Sequence, residues 1–317
     1  MYLGIDLGGT NLKFGILNEN LELICQTTKP TNSSKGPNEL IRFIIYAAKQ
    51  LINKFPDIRT IGMGIPGMID NEGLVRLAPN LFGWNDVDII SKFKNEISLP
   101  FAIENDSNTA CLAELEMGAG KDTNNFIYVT LGTGVGGTIV INRKIFRGQN
   151  GFAGEIGHLI IDCIAKTNSQ NPYRTGILEE FIGRKQIISY AEKEIARYPS
   201  SVLHSYPKTD PFFITEAIEN HNDSTAILIF EKIGYLLGIG LCSAINFLDI
   251  PVIVIGGGIS QAHKLLFETA LKTIQLRVIP ALATQVEIRI AHFTKDAGVI
   301  GAALLGKKII DNHINSL

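Results

Sequence analysis

The chain has 317 residues, a formal net charge of −2, and 45% hydrophobic against 19% charged residues, enough for two domains with a sizeable core. The balance of 29 Lys and Arg against 31 Asp and Glu excludes a polybasic nucleic-acid or membrane footprint. No signal-peptide pattern follows Met1, no apolar run reaches the roughly 18 residues of a spanning helix, and Cys25, Cys111, Cys163 and Cys242 form no C-x-x-C pair, so free thiols and a cytoplasmic location are expected.

The opening "YLGIDLGGTNLKFGIL" reads as strand, polar glycine bend, strand, with Leu21–Gln26 as a third strand. Apolar residues at helical spacing predict an amphipathic helix over Leu40–Asn53. "RTIGMGIPG" is a strand ending in a Pro-Gly turn; Phe101–Ile103 is a short strand that meets "ENDSNTACLAELEMG", a helix opened by small polar residues and closed by Gly118. The chain then repeats its opening: "NFIYVTLGTGVGGTIVINRKI" is again strand, glycine bend, strand. A long helix near Ile229–Leu248 leads into "VIVIGGGIS", a buried strand that empties into three glycines and a helix, and "KDAGVIGAALLGKK" is a helix of small residues suited to close packing. Duplicated hairpins with helices between them predict two related α/β halves facing each other across a cleft, with ligand sites at the strand ends.

Phosphate groups require backbone N–H groups that can be approached closely, hence bends without side chains. Gly8-Gly9-Thr10 and Gly132-Thr133-Gly134 each offer such a bend with a threonine hydroxyl added. Either alone reads first as a tight turn that needs positive φ; two alike, one per half and each with a threonine, point to a polyphosphate. Two pattern matches are rejected. Gly62–Gly67 and Gly132–Gly137 both fit G-x-G-x-x-G, but the first runs into the turn "MIDNEG" and the second into the strand "TIVIN". The dinucleotide fingerprint needs a helix there. Gly256-Gly257-Gly258 follows a strand and suits either close packing or the adenosine side of a nucleotide.

Asp6 stands just before the first bend. A carboxylate beside phosphates implies a cation between them, and Mg²⁺ held through water fits; a turn-capping aspartate is the structural alternative. "IENDSNTA" brings Glu104, Asn105 and Asp106 to a helix start. Asp106 reads either as the N-cap or as a base that removes a substrate hydroxyl proton, with Asn105 holding that hydroxyl. "GFAGEIGH" supplies Glu155 and His158: a lone histidine reads first as a structural residue or a metal ligand, but Glu155 beside it favours a polar pocket suited to neighbouring sugar hydroxyls, while the Glu179-Glu180 pair of "GILEEF" reads by pattern alone as a solvated helix start.

Together these stretches resemble the ROK family of sugar kinases, within the actin-like ATPase superfamily. The motifs "GIDLGGTNLKFGIL", "GIPGMID", "APNLFGW", "ENDSNTACLAE", "LGTGVGG", "GFAGEIGH" and "VIVIGGGIS" stand in family order over nearly the whole chain. The resemblance implies a two-lobed actin-like (duplicated ribonuclease-H-like) α/β fold with an interdomain cleft. It implies a small domain of residues 1–106 plus the helix 297–317, and a large domain of residues 107–296. It implies ATP-dependent phosphorylation of a hexose 6-hydroxyl, glucose being favoured by "APNLFGW", with N-acetylmannosamine, N-acetylglucosamine or fructose as alternatives.

By the same resemblance, Asp6, Gly8, Gly9, Thr10, Asn11 and Lys13 form the first phosphate motif, Gly132, Thr133 and Gly134 the second, and Gly256, Gly257 and Gly258 the adenosine-side turn. Asp106 is the implied base. Gly64, Pro66, Gly67, Asn80, Asn105, Asp106, Glu155, His158 and Glu179 are the implied sugar residues. ATP and Mg²⁺ are the implied cofactors, a homodimer the implied assembly, with no nucleic-acid or membrane partner.

One departure stands out. The family usually carries a zinc site here, built from the histidine and a C-x-C-G-x-x-G-C run. In this chain the interval reads "LIIDCIAKTNSQNPYRTGI", with Cys163 as its single thiol. One thiolate and one imidazole do not make the four ligands of a structural zinc site. The expectation is therefore no zinc, with Tyr173 or Arg174 bracing the loop instead. The family also includes sugar-sensing repressors, which place a helix-turn-helix before the first hairpin; here Tyr2 already begins a strand, which favours the enzyme.

Overall fold

The computed structural model describes residues 1–167 and 170–314. The chain divides into two compact units: Met1–Thr123 with Arg143–Ala153 and the segment from Lys295 onward, and Asn124–Asn142 with Gly154–Thr294.

The first unit opens with β1 (Tyr2–Leu7), β2 (Asn11–Leu17) and β3 (Leu23–Pro30), an antiparallel meander. Helix α1 (Gly36–Lys54) follows, then β4 (Thr60–Ile65), a small sheet of β5 (Met68–Ile69), β6 (Val75–Leu77) and β7 (Asn85–Val87), helix α2 (Ile89–Lys94), β8 (Phe101–Asn105) and helix α3 (Asp106–Met117). The main sheet has the order β3-β2-β1-β4-β8, with β4 parallel to both β1 and β8. Leu3, Ile5 and Leu7 alternate into a core shared with Ile41, Ile44 and Ala48 of α1. β3 runs to Pro30, past the expected end at Gln26, because its pairing with β2 continues to Asn11. The helix expected over residues 40–53 starts at Gly36, with Pro37 in a first turn that apolar periodicity does not mark.

On the other face of this sheet, Gly15, Gly4 and Gly62 stand side by side in register on β2, β1 and β4. They make a bare floor for the C-terminal helix, Ala297–Ile314. A Cβ on Gly4 would lie 2.0 Å from the Val299 carbonyl oxygen, and one on Gly62 1.8 Å from that of Ala302. The helix answers in kind: a Cβ on Gly301 would lie 1.6 Å from the Thr109 carbonyl oxygen of α3. This close packing groups α3 with the first unit.

The second unit contains β9 (Phe126–Leu131) and β10 (Val135–Ile141); the short β11 (Lys144–Phe146) lies in the excursion assigned to the first unit. It continues with α4 (Glu179–Ile182), α5 (Arg184–Arg197), α6 (Pro211–His221), α7 (Ser224–Leu248), β12 (Val252–Gly256), α8 (Leu265–Arg277), α9 (Pro280–Ala283) and β13 (Glu287–Ile290). Its strands run β10-β9-β12-β13, an antiparallel hairpin followed by two parallel strands. That is the arrangement of β2-β1-β4-β8, so the repeat read from sequence is a repeat of topology. Two expectations need correction. The triple glycine opens a 3₁₀ turn, Gly258–Gln261, before α8. The 25-residue α7 holds an 18-residue stretch of mean hydropathy 1.6, long and apolar enough to cross a membrane, contrary to the reading that no run is; 61% of that stretch is buried inside the protein. Ile229, Phe230, Ile233, Leu237 and Leu241 of α7 are core residues.

Candidate active site

In the first unit, the β1–β2 bend is braced from behind. Gly8 N–H donates to the Asn11 carbonyl at 2.9 Å, and Thr31 Oγ1 donates to the Gly8 carbonyl at 2.6 Å. Thr31 N–H donates to the Thr10 carbonyl at 2.9 Å, which leaves the Thr10 and Asn11 side chains exposed. Asn80 is brought to this bend: a Cβ on Gly9 would lie 3.6 Å from Asn80. Asp6 pairs in register with Lys13, whose ammonium donates to the Lys295 carbonyl. The Asp6 carboxylate lies against Gly298, where any Cβ would come within 2.7 Å of it. Burial pushes the Asp6 carboxyl above its usual range; Lys13 opposes this and Asp296 adds to it.

The β8–α3 junction is the second cluster. The N-cap is Asn105, not Asp106: Asn105 Oδ1 accepts Ser107 N–H at 2.9 Å and Asn108 N–H at 3.3 Å. Its Nδ2 donates to the Gly67 carbonyl at 3.0 Å, tying the helix start to the turn after β4. Gly64 pairs with Glu104, and Ile65 with Asn105. Gly64, Gly67, Asn105 and Asp106 are thereby brought together, with Pro66 in the same turn. Asp106 is the first helical residue, half-buried, its Oδ1 accepting Ser107 N–H at 2.9 Å. An acidic group in the first turn is favoured by the helix dipole. Beneath it, buried Glu104 accepts Asn105 N–H at 2.8 Å and Asn108 Nδ2–H at 3.0 Å, and pairs with Arg147 at 3.3 Å.

In the second unit, Gly132 N–H donates to the Gly134 carbonyl at 3.0 Å, and Arg184 N–H at the start of α5 donates to the Gly132 carbonyl at 3.1 Å. Thr133 is exposed at the tip. Val135 N–H donates to Glu179 Oε2 at 2.7 Å, so Glu179 is fastened to this bend. Glu155 immediately precedes the 3₁₀ turn Ile156–His158, and His158 closes it. The surrounding protein pushes the Glu155 carboxyl up, with His158 opposing and Glu179 adding. Glu155, His158 and Glu179 thus share one electrostatic neighbourhood. Gly257 has φ 84°, and a Cβ there would lie 2.3 Å from the Leu131 carbonyl, so this turn packs on the end of β9; Gly258 faces open space.

Glu179 and Glu180 correct the reading of a solvated helix start. Arg174 Nη2 donates to Glu179 Oε1 at 2.6 Å, and Arg174 Nε to Glu180 Oε1 at 2.7 Å. The Tyr173 ring lies nearly parallel to His158, at 6.5 Å and 15°. Arg147 is a residue that sequence reasoning misses. Its guanidinium bridges Glu104 and the carbonyls of Ile69 and Asp70. The neighbouring glycines of "RGQNGFAGE" are a local hint that this stretch is built for close approach, but nothing local marks a partner 43 positions upstream.

The donor chemistry discriminates between metals. A hydrated Mg²⁺ shared with phosphates asks the protein for one or two carboxylates, and Asp6 beside a bare bend fits. A structural zinc asks for four nitrogen or sulfur ligands. Between residues 156 and 180 the chain has one imidazole and one thiol, and Cys163 is exposed. Among the described residues no three His, Cys, Asp or Glu side chains group as a metal site. The residues do not fit zinc.

The repeated hairpin-and-two-parallel-strands sheet, with a glycine bend at each hairpin and an acid-bearing helix start, defines the class of protein. The chain belongs to the ROK family, whose model matches residues 2–309. It is 34% identical over 320 residues to a glucokinase of Halalkalibacterium halodurans, covering 97% of this chain and 95% of that protein. It is 28% identical to a xylose repressor of Caldicellulosiruptor bescii, covering 94% of this chain and 76% of that protein. The crystal structure of a ROK family glucokinase from Streptomyces griseus in complex with glucose and AMPPNP superposes with a TM-score of 0.81 at 25% identity, covering 97% of this chain and 99% of that one. The fold is the actin-like ATPase fold of the ROK sugar kinases.

Proposed function

We propose that this protein is an ATP-dependent sugar kinase that phosphorylates the 6-hydroxyl of a hexose, glucose first among the candidates. The observation that carries the reading is the β8–α3 junction. Asp106 is held at a helix start whose cap, Asn105, is fixed on one side by the Gly67 carbonyl and beneath by Glu104. A general base needs such a placement, braced and next to a turn that a sugar can approach. The relative from H. halodurans is named a glucokinase, which supports glucose.

The roles follow. Asp106 takes the proton of the attacking hydroxyl as the phosphoryl group transfers. Asn105, Asn80, Glu155, His158 and Glu179 bind sugar hydroxyls, and the Gly64–Gly67 turn lines their pocket. The N–H groups of the Gly8–Thr10 and Gly132–Gly134 bends bind phosphate oxygens, where they stabilise charge that spreads in the transition state. Gly256–Gly258 serves the adenosine side. Asp6 would hold Mg²⁺ through water, with Lys13 beside it; bound there, the ion neutralises phosphate charge.

A panel of hexoses in a coupled assay of ADP release tests the reading. Glucose-dependent turnover is expected. Asp106→Asn should keep hexose affinity within about threefold and lose about 10³-fold or more in kcat, the order attributed to a general base. Wild-type turnover in that variant would refute the assignment. The similarity to xylose repressors favours one second reading, a sugar-sensing regulator. Sugar binding without ADP release, together with sugar-dependent binding to an operator-bearing DNA, would establish it instead.

A further inference from the structure

We propose that Arg174 is a positioning residue, its guanidinium forked across Glu179 and Glu180 so as to hold the Glu179 carboxylate against the Gly134–Val135 bend. The inference rests on the kinase reading for its kinetic consequences, though not for the clamp itself.

The geometry has three parts. The two ends of the 160–177 interval are joined: Ile160 bridges Ile177, and the Gly176 carbonyl accepts both Ile161 and Asp162 N–H, at 2.9 and 3.1 Å. Arg174 closes a short 3₁₀ turn, Pro172–Arg174, within it. Its fork then reaches the first two residues of α4, at 2.6 Å to Glu179 and 2.7 Å to Glu180. Finally, the far oxygen of Glu179 accepts Val135 N–H at 2.7 Å. One carboxylate is thereby spanned between the loop's only arginine and the second glycine bend. The pairing is half-sheltered, with 31% exposure for Arg174, 20% for Glu179 and 35% for Glu180.

The electrostatic need is plain. Glu179 and Glu180 are adjacent, and Glu155 lies in the field of Glu179. Without a cation these carboxylates repel one another and Glu179 is free to turn away. A planar guanidinium answers two carboxylates at once, in a fixed geometry that an ammonium cannot match. Zinc ligands are missing from this interval of the chain, and the fork supplies an alternative fixed positive centre.

The test uses the full-length protein with Arg174→Ala, Arg174→Lys and Glu180→Gln. Arg174→Ala is expected to raise the hexose KM about tenfold or more, with kcat within about threefold and the ATP KM within about twofold. Arg174→Lys should recover less than half of that loss, and Glu180→Gln should show a smaller rise. In amide exchange, Val135 should lose protection about tenfold in Arg174→Ala. Chelator-treated wild type, given Mg²⁺ alone, should keep full activity. An unchanged hexose KM, a fall in kcat with both KM values unmoved, or a need for added zinc would overturn the proposal. If the wild type phosphorylates no hexose, the kinase reading fails and Val135 exchange decides the clamp on its own: unchanged protection refutes it.

Discussion

Arg147 stands 3.3 Å from Glu104, and that pair supports the acid-bearing helix start from below. Glu104 is buried and its other oxygen is already committed to Asn105 N–H and Asn108 Nδ2–H. Removing Arg147 leaves a buried carboxylate without its cation and strips a donor from the Ile69 and Asp70 carbonyls. A fully buried pair broken this way costs about 3–5 kcal/mol. Arg147 is 31% exposed, so about 2–3 kcal/mol is expected for Arg147→Met. Denaturant unfolding should show the loss, and Glu104→Gln in the same background should cost less than it does alone. Strict additivity of the two changes would mean that the ion pair has no energetic coupling.

The glycine floor under the C-terminal helix gives a second expectation. A methyl group on Gly62 would sit 1.8 Å from the Ala302 carbonyl oxygen, a backbone atom on a packed helix that cannot step aside cheaply. Overpacking costs about 1–3 kcal/mol where side chains can adjust. Here the helix itself must move, and Gly62→Ala should cost about 3 kcal/mol or more, seen as a Tm lower by about 6–12 °C. A variant with wild-type Tm would show that the helix is free to shift.

The elements legible in the sequence are those whose signal is local. Each hairpin is marked by apolar strands around a glycine bend, and the start of α3 by small polar residues. What the sequence leaves ambiguous is decided by partners. Asn105 and Asp106 are both good caps by type; Asn105 takes the position because its amide also reaches the Gly67 carbonyl, on a neighbouring strand's turn. Glu179-Glu180 reads as solvated because acids usually are, and only folding sets Arg174 against them. The first turn of α1 carries no apolar period, so it is invisible to a periodicity argument. The apolar stretch of α7 is interrupted by Glu231 and Lys232, which hides its length from a search for unbroken runs.

Glu155 gives a pH dependence whose sign can be worked out. Its folded carboxyl is raised, by partial loss of hydration first, with Glu179 adding and His158 opposing. A raised carboxyl binds its proton more tightly in the folded state. Its contribution to stability is therefore fully present below the unfolded value, about 4.3, and is lost as pH rises through the folded one. Glu155→Gln should then be at least as stable as wild type at pH 7.5, and its advantage should shrink on acidification towards pH 4. If Glu155 binds sugar hydroxyls, hexose affinity should fall about tenfold in the same variant, because a charged carboxylate with two acceptor oxygens becomes a neutral amide with one. Thermal unfolding across pH checks the first half, and calorimetric titration the second. An advantage that grows on acidification would reverse the sign assigned here.

Gly132 and Gly258 separate packing from ligand contact. A Cβ at either would meet nothing within 4 Å, and neither has a positive φ, so the fold itself does not require glycine there. Alanine at these two positions should leave Tm within about 2 °C of wild type, since surface changes away from specific contacts are nearly neutral. If the bends receive a nucleotide, the added methyl groups stand where phosphate or adenosine must approach backbone. Gly132→Ala should then raise the ATP KM about tenfold with the hexose KM unchanged, and Gly258→Ala should weaken binding of ATP and of adenosine alike. Steady-state kinetics with each substrate varied in turn distinguishes these outcomes. Two stable variants with wild-type ATP KM would remove both glycines from the nucleotide site and leave the kinase reading resting on the Asp106 cluster.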